Sequence, residues 1–485
     1  MLKRISLGIA LLLVLFGGVL VVRTAQLRPQ APLAPPIPRL QLDESALAQR
    51  LAEAIRIPTI SRTDAPLDAA AFEAFHALLA ERFPRVHATL DVERVGAWSL
   101  LYRWAGSDAA RAPALLAAHI DVVPVEPGTE PQWQHPPFAG EIAQGFIWGR
   151  GALDDKASLM AQLEAVELLL ARGFTPARTL YFAYGHDEEI GGANGAAQIA
   201  RRLAERGLRL AFTLDEGSAL TQGIIPGIER PVAAIMAGEK GYVTFRLTAR
   251  AAGGHSSMPP PDGAIARLAR ALVKLDAQPL PARLTAPVAA MLERLAPEMP
   301  WGARLAIANR DLFEPLLLRS LAASSITNAL IRSTQAFTVL RAGVKDNVLP
   351  SEAHALINYR LLPGDRIADV ERYIVATIDD PGIEVGQEDA SGSEAPPLSH
   401  PDAPEFALIA RTVNEVFPDA LVSSGIILAA TDNRHYAPLR EQAYYFAPFP
   451  YTPDDQPRIH GVDERIAVPA YADMVRFYRR LFENV

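Results

Sequence analysis

"RTLYFAYGHDEEIGGANGAAQIARRLAERG", residues 178–207, decides how this chain is read. An apolar and aromatic run ends at Tyr184, three acids follow (Asp187, Glu188 and Glu189), and a helical pattern starts after a glycine-rich turn. A short apolar run bounded by turn residues fits a strand buried on both faces. Taken alone, an acidic triplet is usually a solvated charge run. Here it sits at the end of a core strand, where three carboxylates repel one another.

The same arrangement recurs. "APALLAAHIDVVP" (112–124) runs apolar to Ala118 and then presents His119 and Asp121. "GFIWGRGALDDK" (145–156) presents Asp154 and Asp155 before a helical stretch, and "LRLAFTLDEGS" (208–218) presents Asp215 and Glu216. Strands alternating with helices imply an α/β fold with a mostly parallel sheet. In such sheets, ligand sites form at the carboxyl ends of the strands. His119, Asp154, Glu188, Glu189 and Asp215 would then converge on one crevice. Carboxylates gathered that closely must be protonated or neutralised by cations. The chain has no cysteine, so a metal would be held by nitrogen and oxygen alone, a set that suits zinc, with cobalt or manganese as substitutes.

With 485 residues, 49 % of them hydrophobic and 21 % charged, the chain is long enough for two or three globular domains. The net charge of −8 and the lack of a basic stripe argue against nucleic acid as a partner. Residues 1–22 contain an uncharged run of 18 from Ile5 to Val22, near the lower limit for a membrane-spanning helix. We read it as a transmembrane signal anchor. Lys3 and Arg4 would stay cytoplasmic and the rest extracytoplasmic, in a periplasm or secretory lumen; a cleaved secretion signal is the alternative. Residues 23–41, with five prolines between Arg23 and Arg39, read as an extended spacer holding the globular part off the membrane. From about Gly241 the pattern changes to alternating strands such as "YVTFRLTAR", which marks a second domain.

"HIDVVP", "GRGALDDK", "DEEIGG", "LDEGS", "GGHSS" and "RIHG" stand in an order that resembles the di-zinc family of aminoacylase, carboxypeptidase S, glutamate carboxypeptidase and succinyl-diaminopimelate desuccinylase. "GEKGYVTF", "GGHSSMPPP", "LFEPLL", "AGVKDNVLP" and "RIHGVDERI" look most like its carboxypeptidase S and N-fatty-acyl amino acid synthase/hydrolase branch. The resemblance spans about residues 42–485. It implies a zinc-peptidase catalytic domain in two parts, 42–240 and 388–485, interrupted by an inserted α+β lid, the dimerisation domain, at 241–387.

The resemblance also implies roles. His119 and His460 would each bind one of two zinc ions, Asp154 would bridge them, Glu189 would complete one shell and Asp215 the other, with Glu216 an open alternative. Asp121 would orient His119, and Glu188 would be the general base. His255 of the lid would steady the oxyanion and, in dimeric relatives, serves the neighbouring subunit, which leaves a homodimer open here. Arg360 would grip a substrate α-carboxylate, with Asn347 a further polar contact. Asp155 would cap the next helix, His186 would be structural, and Thr431–Arg434 resembles a substrate-side loop. Residues 284–325 exceed a minimal lid and read as extra core, as a subunit contact or as a channel for a long acyl chain. The function implied is hydrolysis, or reversible formation, of the amide of N-acyl amino acids, or cleavage of a C-terminal peptide bond in small peptides. A di-zinc aminopeptidase and a non-catalytic scaffold on the same fold are the alternatives.

Overall fold

A computed structural model describes the chain except Met1, Gln30, Pro226, Ala390 and Ser391; the side chains of Lys3 and Arg4, on which the orientation of the anchor rests, also lie outside the described residues. Its centre is a six-stranded sheet. In spatial order the strands are Asp91–Val95, Ser99–Trp104, Leu180–Gly185, Ala114–His119, Leu210–Asp215 and Arg440–Tyr445. The last four run parallel to one another, and Ser99–Trp104 is antiparallel to its neighbour.

Burial explains why these segments are strands. Leu115 and Ala117, Tyr181 and Ala183 face one side, where Ile199 and Leu203 of the helix Ala196–Glu205 cover them. Leu116 and Ala118, Phe182 and Tyr184 face the other, under the helices Glu44–Ile55, Lys156–Leu170 and Val468–Asn484. Period-two side chains with both faces covered make an unbroken apolar run the natural solution. Each large side chain buried this way contributes about 1.5–3 kcal/mol.

The register places the site. His119 lies opposite Gly185, and Asp215 opposite Tyr445, so the chain leaves adjacent parallel strands at one carboxyl edge. A second sheet is antiparallel, ordered Thr334–Ala342, Glu352–Leu361, Gly241–Arg250 and Ile383–Gln387. The helices Ala264–Ala277 and Ile367–Ile378 pack on it around Phe245, Leu268, Ile357 and Ile374.

The long stretch 284–325 forms helices Ala286–Leu295, Trp301–Ala308 and Arg310–Leu321. They close small apolar clusters of their own and against Ile228, Val232 and Ile426. The proline-rich segment departs from the projecting spacer expected of it. Leu33 donates its N–H to Asn414 Oδ1 at 2.8 Å, Ile37 donates to the Glu415 carbonyl at 3.0 Å, and Arg39 pairs with Asp473 at 3.1 Å. Polar groups of the helices Pro404–Val416 and Val468–Asn484 capture backbone that a Pro-rich chain leaves unpaired.

Candidate metal centre

His119 closes its strand and is buried. Its Nδ1 lies 2.9 Å from the Asp121 carbonyl oxygen, so the Nδ1–H tautomer turns Nε2 toward the crevice. There Nε2 meets Asp154 Oδ1 at 2.9 Å and Glu216 Oε1 at 3.6 Å. On the far side of Asp154, Oδ2 lies 3.1 Å from His460 Nε2, which is also 3.2 Å from Glu189 Oε2. Two groups of potential ligands therefore share Asp154: His119, Asp154 and Glu216, and Asp154, Glu189 and His460, the donor atoms of each within 4.8 Å of one another.

The electrostatics fit a cation centre. Although burial opposes it, the carboxylates of Asp121, Asp154 and Glu216 hold the His119 ring well above its ordinary pKa. Hydrogen bonding to Asp154 and Glu189 pushes His460 up to about 10. Burial, reinforced by Asp154, lifts Glu216 to about 7, and burial raises Glu188 well above the carboxylate range. Glu189 Oε1 is a buried acceptor without a hydrogen-bond partner among the described residues. Two imidazoles, three carboxylates and a free acceptor at one point are a donor set for divalent metal.

Several expected residues take different positions. Glu216, and not Asp215, joins the group around His119. Asp215 Oδ2 accepts from the Thr431 hydroxyl at 3.0 Å and Oδ1 from the Glu216 N–H at 2.9 Å. Asp155 stands before the helix Lys156–Leu170, after a cis Asp154–Asp155 peptide, but its carboxylate makes no capping hydrogen bond. His255 and Asn347 lie together on an exposed two-stranded ribbon, where Ser256 N–H donates to the Asn347 carbonyl at 3.2 Å; neither lines the crevice. Arg360 is half-buried opposite Tyr242, stacked over that ring at 4.8 Å. Burial lowers its pKa, and Arg434 adds repulsion. His186 is structural in its contacts, with Nδ1 2.6 Å from Ser99 Oγ and its ring edge-on to Trp98.

Asp121, expected to orient His119, also supports the crevice, and the contacts of Ser61, Arg150 and Glu464 were not legible in the sequence. Asp121 Oδ1 accepts from the Glu188 N–H and Oδ2 from the Glu189 N–H, each at 3.2 Å, and Ser61 Oγ donates to Oδ2 as well. Fully buried Glu464 takes Arg150 Nη1 at 2.6 Å on Oε2 and the N–H groups of Gly151, Leu153 and Asp154 on Oε1. Arg150 Nη2 also donates to the Gly461 carbonyl at 2.9 Å, beside His460. One ion pair thus locks the Asp154 loop to the His460 loop.

The Thr431–Arg434 turn ties three more segments. Thr431 N–H donates to Glu239 at 2.9 Å, Thr213 Oγ1 to Asn433 at 2.6 Å, and Arg434 Nη2 to the Gly191 carbonyl at 2.9 Å. Buried Asp432 fills the space where a Cβ on Gly185 or Gly192 would sit, and Gly192 has φ +67°. Those two positions of "YGHDEEIGG" admit no side chain.

Beside the acids lies a cavity of about 380 Å³. Asp154, Glu188, Glu189, Glu216 and His460 form its polar end, and Ala219, Ala429, Ala430, Phe449, Tyr451 and Ile459 form an apolar wall. None of the lining comes from residues 284–325.

A parallel sheet with a histidine–carboxylate centre at its carboxyl edge, and an antiparallel sheet inserted beyond it, defines a metallopeptidase-type hydrolase. The chain belongs to peptidase family M20/M25/M40, whose sequence profile matches residues 115–484. It is 39 % identical over 436 residues to N-fatty-acyl-amino acid synthase/hydrolase PM20D1.1 of Danio rerio, covering 89 % of this chain and 84 % of that one. Carboxypeptidase S of Saccharomyces cerevisiae is 31 % identical over 490 residues, covering 90 % and 84 %. Among solved structures, the M20 family metallo-carboxypeptidase Sso-CP2 from Sulfolobus solfataricus superposes with a TM-score of 0.64 at 18 % identity, covering 91 % of this chain and 99 % of that one.

Proposed function

We propose that this hydrolase cleaves, and in reverse forms, the amide of N-acyl amino acids with long acyl chains, using two metal ions, zinc by preference. The carrying observation is the sharing of Asp154 between two ligand groups with Glu188 alongside. His119, Asp154 and Glu216 would hold one ion, and Asp154, Glu189 and His460 the other. When bound, the pair would polarise the scissile carbonyl and lower the pKa of water.

The chain's own residues do the rest. Asp121 binds both N–H groups of the Glu188–Glu189 pair, so the base is fixed relative to a ligand one residue away. Glu188 takes the proton of the attacking water and returns it to the leaving nitrogen. Arg360, a cation stacked on Tyr242 with no ion pair among the described residues, receives the substrate α-carboxylate. The wall of Phe449, Tyr451 and Ile459 receives the first part of the acyl chain. The lid 241–387 contributes His255 and Asn347 in a homodimer, where their exposed ribbon reaches a neighbouring subunit's crevice. Residues 5–22 anchor the chain with its catalytic part extracytoplasmic.

Amino acid release is measured for N-acetyl, N-lauroyl and N-oleoyl amino acids, dipeptides and an amino acid amide, on zinc-loaded enzyme with Glu188→Gln as control. Preference for the long chains, lost in the control, is the expected result. Preference for dipeptides moves the enzyme to the carboxypeptidases, and silence across the panel on metal-loaded protein makes it a scaffold.

A further inference from the structure

The apolar N-terminal helix and the helical part of the insertion meet. Leu2–Gln26 is one helix, and an 18-residue window within residues 6–26 has a mean hydropathy of 2.3 and almost no burial. Its C-terminal end is the exception. Among its described residues Gly17, Leu20 and Thr24, spaced three or four apart, are the covered positions, Thr24 is fully buried, and Leu27 just past its end continues the spacing.

The insertion covers them. Asn309 Nδ2 donates to the Leu20 carbonyl at 3.2 Å, and Arg304 donates to the carbonyls of Thr24, at 3.1 Å, and Leu27. Arg23 pairs with Asp311 at 3.5 Å, and Leu27 packs with Leu292, Ile307 and Leu317. On the same two helices of the insertion Trp301, Leu312 and Leu316 are 52 %, 51 % and 57 % exposed, the last two one turn apart.

These contacts fix a height. Leu20 lies four residues inside Thr24, about 6 Å along a helix axis. A helix that enters a bilayer in this pose therefore carries Asn309 and the start of Arg310–Leu321 to the depth of the headgroup–acyl boundary, about 5–10 Å, where interfacial helices lie. Tryptophan is enriched at that level, and Arg23, Arg28, Arg319, Asp311 and Glu314 would meet the headgroups.

We propose that Trp301–Leu321 is an interfacial lipid-binding surface, held with Trp301, Leu312 and Leu316 in the bilayer that the N-terminal helix enters. The inference rests on the anchor reading above. It makes the enlarged lid a second membrane contact, so the body sits on the bilayer instead of hanging from a tether, at the surface where a long-chain substrate partitions.

Trp301 is the one exposed tryptophan of five, and the N-terminal helix contains none. The full chain is reconstituted into phosphatidylcholine vesicles with plain or chain-brominated lipid, and emission is compared with Trp301→Phe. Bromination is expected to quench a component that Trp301→Phe lacks, more strongly from shallow than from deep bromines. Equal quenching of both proteins, while alkaline carbonate leaves the chain in the vesicles, overturns the proposal, as does release of the chain by carbonate. Dimerisation in detergent abolished by Leu312→Glu with Leu316→Glu would assign the surface to a second copy and also overturn it. Hydrolysis of N-lauroyl and N-oleoyl amino acids by the zinc-loaded protein in detergent is read separately. An inactive wild type whose Trp301 is still quenched overturns the enzyme reading and upholds the surface.

Discussion

Asp121 is a small residue with a large share of the geometry. Its carboxylate binds the backbone of both glutamates and Ser61, and its carbonyl orients His119. Glu188→Gln removes the proton carrier and leaves those supports in place. A loss of about 10²–10⁴-fold in kcat with unchanged metal content is expected, and steady-state kinetics beside metal analysis measures it. Metal uptake should release protons. His460 titrates at about 10 and His119 well above its ordinary value, so both rings are protonated at pH 7 in metal-free protein. Metal requires them neutral and Glu216, lifted to about 7, ionised, so at least two protons leave per chain and affinity falls as pH falls. Calorimetry in buffers of differing ionisation enthalpy counts them; none released would refute this charge state.

Among the elements, the buried Arg150–Glu464 pair carries the join between two loops far apart in sequence. Arg150→Met leaves Glu464 buried without its cation, which costs about 3–5 kcal/mol, read as a lowered denaturant midpoint with weakened metal binding. Arg150→Lys should recover little, because an ammonium cannot reach Glu464 and the Gly461 carbonyl in one fork. A second element contact predicts acid behaviour. Arg480, with Asn484 and Arg411, holds Glu415 down to about 2, against 4.5 for a free glutamate. A depressed folded pKa gives stability that is present above about 4.5 and lost as the pH falls toward 2. Glu415→Gln should therefore lower the thermal midpoint at pH 7 and differ less from the parent at pH 3.

For the whole molecule, the outer strand Thr334–Ala342 leaves Phe337 and Leu340 exposed, with one backbone edge unpaired in its sheet. An apolar open edge invites a second copy. If the exposed His255 serves a neighbour's crevice, His255→Ala and Glu188→Gln chains are each inactive alone and recover activity when mixed. No recovery would confine His255 to its own chain. Light scattering of the mixture, with Leu340→Lys as the weakened control, ties the rescue to dimer formation.

What could be read from the residues alone follows from local physics. Apolar runs that stop at polar clusters announce strands and their carboxyl ends, because side-chain period and turn chemistry are properties of a few neighbouring residues. That was enough to infer the α/β fold and to gather His119, Asp154, Glu188 and Glu189 as candidates. The choice between Asp215 and Glu216 was not local. Neighbouring residues at a strand end point to opposite sides, and here Thr431, more than two hundred residues away, takes the Asp215 carboxylate. Arg150 and Glu464 lie within "GRGALDDK" and "RIHGVDERI", and Ser61 in no motif, but their supporting role was not readable there, since their partners are set by chain crossings. The proline-rich stretch looked like a spacer because its composition is extended, while its docking depends on Asn414, Glu415 and Asp473, which only the folded helices bring alongside it. Sequence determined which groups stand at the ends of the strands; tertiary packing decided which of them face the metal centre and which hold it in place.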